Sequence, residues 1–336
     1  MADVTEPNGD PMRRKINFAA ALDLLAVPFA FLASILALAI RRAGINRMPY
    51  TSRVFRRIGV YPIRDHYYEP LFNTAHLTRS LDQDRDLPGI DWNIAEQLKL
   101  LEKFEFNREL VVLPLEHGSA ERGSNRKFFY NNGMFESGDA EYFYNVIRHL
   151  KPRRLIEIGS GQSTLLAKQA IAENVRQDPN SGCEHICIEP YEAGWLEQTG
   201  VKVIRERVEA VPKELFRTLS RGDILFIDSS HMIRPQGDVL FEYLEILPIL
   251  QPGVFVHIHD IFSPRDYPEK WISQDVRFWN EQYLLEAFLN FNASFEIVGA
   301  LNFLKHHYPK DLASCCPILS EQMDSREPGS FWIRRT

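Results

Sequence analysis

The sequence has few cysteines, and their spacing excludes two kinds of site. None of the four, which are Cys183, Cys187, Cys315 and Cys316, forms the CxxC pair typical of zinc sites and redox dithiols. The adjacent pair at the end of this series could form a disulfide only with strain. We therefore expect reduced thiols, as in a cytoplasmic protein.

An excess of positive charge is also missing. The 39 basic and 45 acidic side chains give a net charge of −6, whereas a protein that binds nucleic acid is typically basic. We expect no nucleic-acid partner. The sequence also lacks internal repeats, and its 45% hydrophobic and 25% charged residues are typical of a globular protein. The length predicts one large catalytic domain with an appendage.

Long hydrophobic runs are scarce, and the one present lies near the N-terminus. It covers residues 16–40, and its uncharged part, 24–40, has about 17 residues, the lower limit for a helix that crosses a bilayer core. Asp23 and Pro28 weaken that interpretation. A secretory signal peptide is not indicated, because no small-residue cleavage site follows the run.

Basic residues flank this run. Arg41, Arg42, Arg47, Arg53, Arg56 and Arg57 follow it, and Arg13, Arg14 and Lys15 precede it. The positive-inside rule places the larger cluster, and with it the catalytic part, on the cytoplasmic side. The same pattern suits a helix that lies on anionic headgroups. We expect residues 16–60 to bind a membrane surface or bilayer; a helix packed on the protein or a partner is the alternative.

The chain divides into four predicted segments. Residues 1–15 form a polar tail, 16–60 the apolar segment with its basic flank, 61–134 a helical and irregular lead-in and cap, and 135–336 a cofactor-binding domain.

In the last segment, β-like runs alternate with helical patterns, which predicts an α/β fold, a Rossmann-like doubly wound sheet. The predicted strands are 153–159, 185–189, 202–205, 223–228, 254–260, 295–304 and 330–334. The predicted helices are 163–172, 237–250 and 278–291. We expect a loop between the last two strands, with His306 and His307 exposed to water.

The strongest motif follows the first predicted strand. Residues 157–161 read Glu-Ile-Gly-Ser-Gly and lead into a helix, where glycines allow a tight turn and close approach of a ligand. Position 164 is Thr, so the third glycine of the dinucleotide fingerprint is missing. Glu189 ends the second strand, where an acid can accept hydrogen bonds from both ribose hydroxyls.

Residues 157–161 resemble the first motif of class I S-adenosylmethionine-dependent methyltransferases, and Glu189 matches their ribose-binding acid. The run 329–334 is similar to their antiparallel last strand. The resemblance covers about residues 135–336 and is strongest to the branch with bacterial sugar and natural-product O-methyltransferases. It implies S-adenosyl-L-methionine as cofactor and a seven-stranded sheet with an antiparallel last strand. The cofactor-binding residues that it implies are Glu157, Gly159, Ser160, Gly161, Ser163, Glu189, Asp139 and Asp228.

Polar side chains follow the fourth and fifth predicted strands. The candidate catalytic residues there are Asp228, His231, His259 and Asp260, and the carboxyl ends of parallel strands meet at the edge where ligands bind. Either histidine, with an ordinary pKa near ~6.5, could take the proton of an oxygen acceptor. The alternative is that a histidine only hydrogen-bonds loop backbone.

A divalent metal is not favoured, although these residues leave it open. Some relatives bind a cation through one acid after the fourth strand and two adjacent acids after the fifth. This chain has Asp228 and Asp260 but carries His259 where a second acid would stand. A histidine makes a hard oxygen site less suitable for Mg²⁺.

The resemblance, together with these polar residues, implies an S-adenosylmethionine-dependent methyltransferase that methylates an oxygen atom of a polar acceptor, such as a glycan, a lipid-linked sugar or a secondary metabolite. Two alternatives use the same fold. One is a nicotinamide-dependent oxidoreductase, which the missing third glycine disfavours. The other is a membrane-tethered binding protein without turnover, which the polar cluster after the fourth and fifth strands disfavours.

Overall fold

The computed structural model describes residues 11–117 and 126–336. The chain divides into two compact units, Met1–Leu77 and Thr78–Thr336. The lead-in predicted over 61–134 is therefore split, since residues from 78 onward belong to the same unit as the sheet.

The first unit begins with a long helix, α1, over Pro11–Ala43. Its stretch Ala19–Ala43 has 25 residues and contains an 18-residue window with a mean hydropathy of 2.3, no residue of which is buried within the structure. In the described part of the chain, this is the one helix long and apolar enough to cross a membrane. The helix begins inside the segment predicted as a polar tail, and residues 1–10 of that tail lie outside the described residues.

A short basic helix, α2, follows over Pro49–Ile58. Pro49 is its first residue, where the missing N–H of proline costs no hydrogen bond within the helix. Gly59 ends the helix with φ 81°, a left-handed conformation that favours glycine. Further along this unit, the Glu69 carboxylate pairs with Arg41 and Arg64, each at 2.7 Å.

The second unit contains a seven-stranded sheet. Its strands are β1 Arg154–Ile158, β2 Glu184–Ile188, β3 Lys202–Ile204, β4 Ile224–Ile227, β5 Phe255–Ile258, β6 Phe295–Ala300 and β7 Phe331–Arg335. The order is β3-β2-β1-β4-β5-β7-β6, in which β7 is antiparallel to both of its neighbours and the pairs among β1–β5 are parallel. This confirms the predicted fold class, including the antiparallel last strand.

Helices cover both faces of the sheet. They are α3 Ile94–Leu101, α4 Asn107–Leu110, α5 Asp139–Leu150, α6 Gln162–Gln177, α7 Glu214–Arg217, α8 Asp238–Phe241, α9 Glu281–Leu289, α10 Leu301–His307, α11 Pro309–Cys315 and α12 Pro317–Gln322. Successive strand residues point to opposite faces, so Leu155 and Phe226 join one apolar cluster while Ile156 and Leu225 join the other. Burial on both faces explains why the parallel strands read as continuous apolar runs.

The loop predicted between the last two strands is wrong, because α10, α11 and α12 occupy that stretch. The sixth strand ends at Ala300 rather than at residue 304. Apolar side chains such as Leu304 and Leu312 are fully buried, so tertiary packing fixes helices that are short. Prolines at the first position of α11 and α12 start each turn.

The two histidines expected in that loop instead lie at the end of α10. His306 Nε2 is 2.8 Å from Glu327 Oε2, and His307 Nε2 is 2.6 Å from Asp84 Oδ2. Both rings therefore have acidic partners.

Candidate active site

A cleft of about 930 Å³ opens outside the carboxyl ends of β1, β2 and β4. It lies where the chain leaves β1 toward β2 on one side and β4 on the other, the position where open α/β sheets bind ligands. Its walls are residues 159–163, 188–192, 207–209, 228–231 and 234–236, with Met134, Phe135, Ile158, Asp238 and Trp279.

The glycine loop between β1 and α6 forms one wall. Gly159 has φ 78°, and a Cβ atom there would overlap the carbonyl oxygen of Asp228. The packing of the protein itself, and not a ligand, therefore requires glycine at this position. At Gly161, a Cβ atom would meet no protein atom within 4 Å, so this part of the loop borders open space that a ligand can fill.

Six of the predicted cofactor-binding residues line the cleft. They are Gly159, Ser160, Gly161, Ser163, Glu189 and Asp228. Glu157 and Asp139 are buried and are not among the lining residues. The Asp139 carboxylate accepts the backbone N–H groups of Gly329 at 3.2 Å and Ser330 at 2.7 Å, so it ties α5 to the start of β7.

The cleft offers groups that suit an adenosine cofactor with a polar tail. Glu189 Oε1 accepts the backbone N–H groups of Tyr191 and Glu192, and Oε2 accepts that of Ser160 at 3.3 Å. A carboxylate accepts about four hydrogen bonds, so capacity remains for a hydroxyl. Ser160 Oγ and Gln162 Oε1 are buried at the loop and have no hydrogen-bond partner among the described residues. Such groups call for a bound polar ligand or water.

His231 lies at the other end of the cleft, between three carboxylates. Its Nδ1 is 2.9 Å from Glu281 Oε2, and its Nε2 is 3.3 Å from Asp228 Oδ1 and 3.5 Å from Asp260 Oδ2. His231 and Asp260 both have φ 57°, a conformation that is uncommon for non-glycine residues and clusters at functional sites.

The charges around His231 change its expected pKa. Burial favours the neutral imidazole, but hydrogen bonds to Asp228 and Glu281 outweigh it and hold the pKa of His231 well above its ordinary value. The pKa of His231 is therefore higher than the ordinary value expected from the sequence.

His259 lies behind the cleft wall rather than on it. It is buried, its ring centroid is 5.3 Å from that of Phe135, and its Nε2 is 3.7 Å from Asp260 Oδ1. Burial opposes its charge, but Asp260 and Asp228 raise the pKa of His259. His257 is also buried and hydrogen-bonds Ser330 Oγ at 2.8 Å. Of the two candidate bases, only His231 lines the cleft.

Sequence reasoning missed two residues at this end. Glu281 is fully buried at the first position of α9, and Trp279 lines the cleft with its ring centroid 4.4 Å from that of His231. Both lie about 50 residues after His231, so no local spacing connects them. The sequence offered only a weak signal for this segment, namely an acidic residue near the start of a predicted helix in a stretch rich in tryptophan.

The same cluster could hold a cation. One ligand atom each of Asp228, His231 and Asp260 lies within 4.8 Å of the others. This set contains His231 in place of the expected His259. A nitrogen beside two carboxylate oxygens suits a transition metal better than Mg²⁺.

Comparison with known proteins gives a family for this arrangement. A family model described as a methyltransferase domain matches residues 156–261. A curated protein from Archaeoglobus fulgidus, which is itself uncharacterized, is 30% identical over 182 residues, which make up 51% of this chain and 79% of that protein.

Two solved structures are more distant. The O-methyltransferase TomG from Streptomyces achromogenes, involved in tomaymycin synthesis and solved with SAM, is 12% identical, covers 75% of this chain and 91% of its own, and has a TM-score of 0.32. An O-methyltransferase from Bacillus cereus, solved with SAH, is 11% identical, with coverage of 73% and 98% and a TM-score of 0.33.

The family assignment rests on the family model and the sheet rather than on those two structures. The matched residues include the glycine loop, Glu189, Asp228 and His231, which are the polar parts of the cleft. The antiparallel β7 between β5 and β6 completes the sheet order implied by the resemblance. The chain belongs to the class I S-adenosylmethionine-dependent methyltransferases.

Proposed function

We propose that the protein methylates an oxygen atom of a polar acceptor at a membrane surface, with His231 as the base. The observation that carries this proposal is the imidazole of His231 in the cleft wall, held between Asp228, Asp260 and Glu281. When bound, S-adenosylmethionine supplies a methyl group on a sulfonium, which is already a good leaving group. The protein must therefore orient the two reactants and remove a proton.

The glycine loop and β2 would hold the cofactor at opposite ends. Glu189 would accept the ribose hydroxyls, and the backbone of 159–161 would face the methionine end. The unpartnered Ser160 Oγ and Gln162 Oε1 would supply polar contacts there. This leaves the region of His231 for the acceptor.

The proton of the acceptor hydroxyl would move to Nε2 of His231. Glu281 accepts the hydrogen bond from Nδ1 and so fixes the tautomer whose Nε2 is free to take a proton. The carboxylates of Asp228 and Asp260 would stabilise the imidazolium that forms. Only the neutral ring can act as the base, so turnover rises with pH as His231 loses its proton.

The surroundings of His231 support a ring-shaped, negatively charged acceptor. Trp279 supplies an apolar wall beside His231, which suits the carbon skeleton of a sugar or an aromatic acceptor. Arg234, three residues after His231, also lines the cleft, and its side chain is 56% exposed. Its ion pair with Asp238 is 3.6 Å long and weak, so this guanidinium is available to a phosphate. A lipid-linked sugar phosphate combines these features.

Membrane association rests on the N-terminal unit. The stretch Ala19–Ala43 is long enough to cross a bilayer core, and the arginines of residues 41–57 would face anionic headgroups on the cytoplasmic side. An acceptor carried on a lipid would then reach the enzyme in the plane of the membrane.

The acceptor class is tested with radiolabelled methyl groups. We would incubate the full-length protein and labelled S-adenosylmethionine with a panel of sugar phosphates, lipid-linked sugars, phenols, amines and thiols. Mass spectrometry then locates the methyl group. We expect transfer to a hydroxyl oxygen; transfer only to nitrogen or sulfur acceptors would contradict the proposal.

A further inference from the structure

Glu157, the acid of the first motif, has its carboxylate beneath the glycine loop and not in the cleft. Its side chain is fully buried, and Oε2 is 2.7 Å from Thr164 Oγ1, 2.7 Å from His185 Nε2 and 3.4 Å from Cys187 Sγ. All three are hydrogen-bond donors to this one oxygen. Glu157 therefore binds three side chains of its own domain.

Thr164 connects this buried acid to the loop. It is the third residue of α6, and its hydroxyl donates to Glu157 while it accepts the backbone N–H of Gly161 at 3.1 Å. A hydroxyl has a single proton, so donation to Glu157 turns its lone pairs toward Gly161. The hydrogen bonds thus run from β2 through β1 and α6 to the loop.

We propose that His185 and Glu157 are positioning residues that fix the conformation of the glycine loop through Thr164. This proposal rests on the proposed use of the cleft as the cofactor site. Without Glu157 as acceptor, the threonine hydroxyl can rotate and donate to a helix carbonyl. The N–H of Gly161 would then lose its partner, and the loop would lose the conformation that faces the ligand.

His185 is the strong donor in this set. A fully buried carboxylate is costly unless it is hydrogen-bonded, and a ring N–H at 2.7 Å supplies that bond. Cys187 contributes less, because burial raises the pKa of its thiol and keeps it a neutral, weak donor. The role of Glu157 thus depends on a histidine that stands 28 residues away on β2.

A metal ion bound by Glu157, His185 and Cys187 would be a different use of the same atoms. Tetrahedral zinc separates a nitrogen from an oxygen ligand by about 3.4 Å, whereas His185 Nε2 and Glu157 Oε2 are 2.7 Å apart. That distance is a hydrogen bond. Stoichiometric zinc in the purified protein would overturn the proposal.

The test compares Thr164→Val, which removes the hydroxyl at nearly constant shape, with Thr164→Ser, which keeps it. In the ligand-free full-length protein, amide hydrogen exchange at Gly161 should be about tenfold faster in T164V and close to wild type in T164S. His185→Leu should accelerate Gly161 in the same way, although His185 does not touch the loop. Thr218→Val, an exposed threonine outside the cleft, is the matched control and should change nothing.

Calorimetry with S-adenosylhomocysteine gives the second measurement. We expect T164V and H185L to weaken binding about tenfold while T164S and T218V bind like wild type. Unchanged exchange at Gly161 in T164V would overturn the positioning role, as would acceleration spread evenly over β1 and β2 in H185L. Failure of the wild-type protein to bind would instead contradict the proposed function, and the exchange data would still decide the positioning role.

Discussion

At the scale of single residues, the environment of His231 decides the chemistry. Its side chain is almost completely buried, yet three carboxylate oxygens lie within 3.5 Å of its ring nitrogens. A histidine buried among apolar groups would have a lowered pKa, whereas the carboxylates around His231 raise its pKa.

The pKa of His231 should depend on the charge of Glu281. Because the carboxylate of Glu281 raises the pKa of His231, replacing it with the neutral Gln should lower that pKa. NMR titration of the ring should give a pKa above the ordinary ~6.5 in wild type and a lower one in E281Q. The pH midpoint of turnover should move the same way, toward lower pH. An unchanged ring pKa in E281Q would contradict the assigned contact.

The role of His231 as base predicts a split between binding and turnover. His231→Ala should leave the affinity for S-adenosylhomocysteine within about twofold and lower kcat by roughly 10²-fold or more, measured with the acceptor found in the panel. His306→Ala is the control, since His306 pairs with Glu327 outside the cleft. Normal turnover of H231A would transfer the role to another residue or to solvent.

The two glycines of the loop should respond differently. Gly159→Val should abolish binding of S-adenosylhomocysteine and lower Tm, because its side chain would overlap the Asp228 carbonyl. Gly161→Ala should keep the wild-type Tm, since its Cβ meets no protein atom, and should weaken binding only through the ligand. Equal affinity of G161A and wild type, measured by calorimetry, would mean that the ligand does not approach this glycine.

At the scale of elements, apolar patterning was sufficient for the sheet and insufficient for short helices. Each of the predicted strands has a counterpart, because a strand buried on both faces is a continuous apolar run. The sixth strand was expected to run to residue 304 and to be followed by a loop, because the lysines, histidines and prolines after it are typical of one. The helices in residues 301–322 exist through buried contacts of Leu301, Leu304 and Leu312 with the core, and such contacts leave little periodic signal in helices of seven residues or fewer.

We expect membrane binding to depend on α1. Deleting residues 1–45 removes its exposed apolar stretch, so the truncated protein should no longer sediment with vesicles that contain anionic lipid. The second unit has its own two apolar clusters, and its Tm should stay within a few degrees of wild type. A truncated protein that still sediments with vesicles would show that another surface binds the membrane.

At the scale of the whole molecule, the sequence predicted the edge of the sheet where the cleft lies but not its full composition. Glu189, Asp228 and His231 follow strands directly, so parallel strand order brings them to one edge. Glu281, at the start of α9, and Trp279, just before it, reach the same place from a segment whose position depends on tertiary packing. Glu157 matched a motif, but its contacts with His185 on β2 follow from strand register, which the motif does not specify.

The central claim is that this cleft binds S-adenosylmethionine. It is tested most directly by calorimetric titration of the full-length protein with S-adenosylhomocysteine, with NAD as the parallel ligand. We predict micromolar binding of S-adenosylhomocysteine and no binding of NAD. Binding of NAD alone, or of neither ligand, would contradict the account.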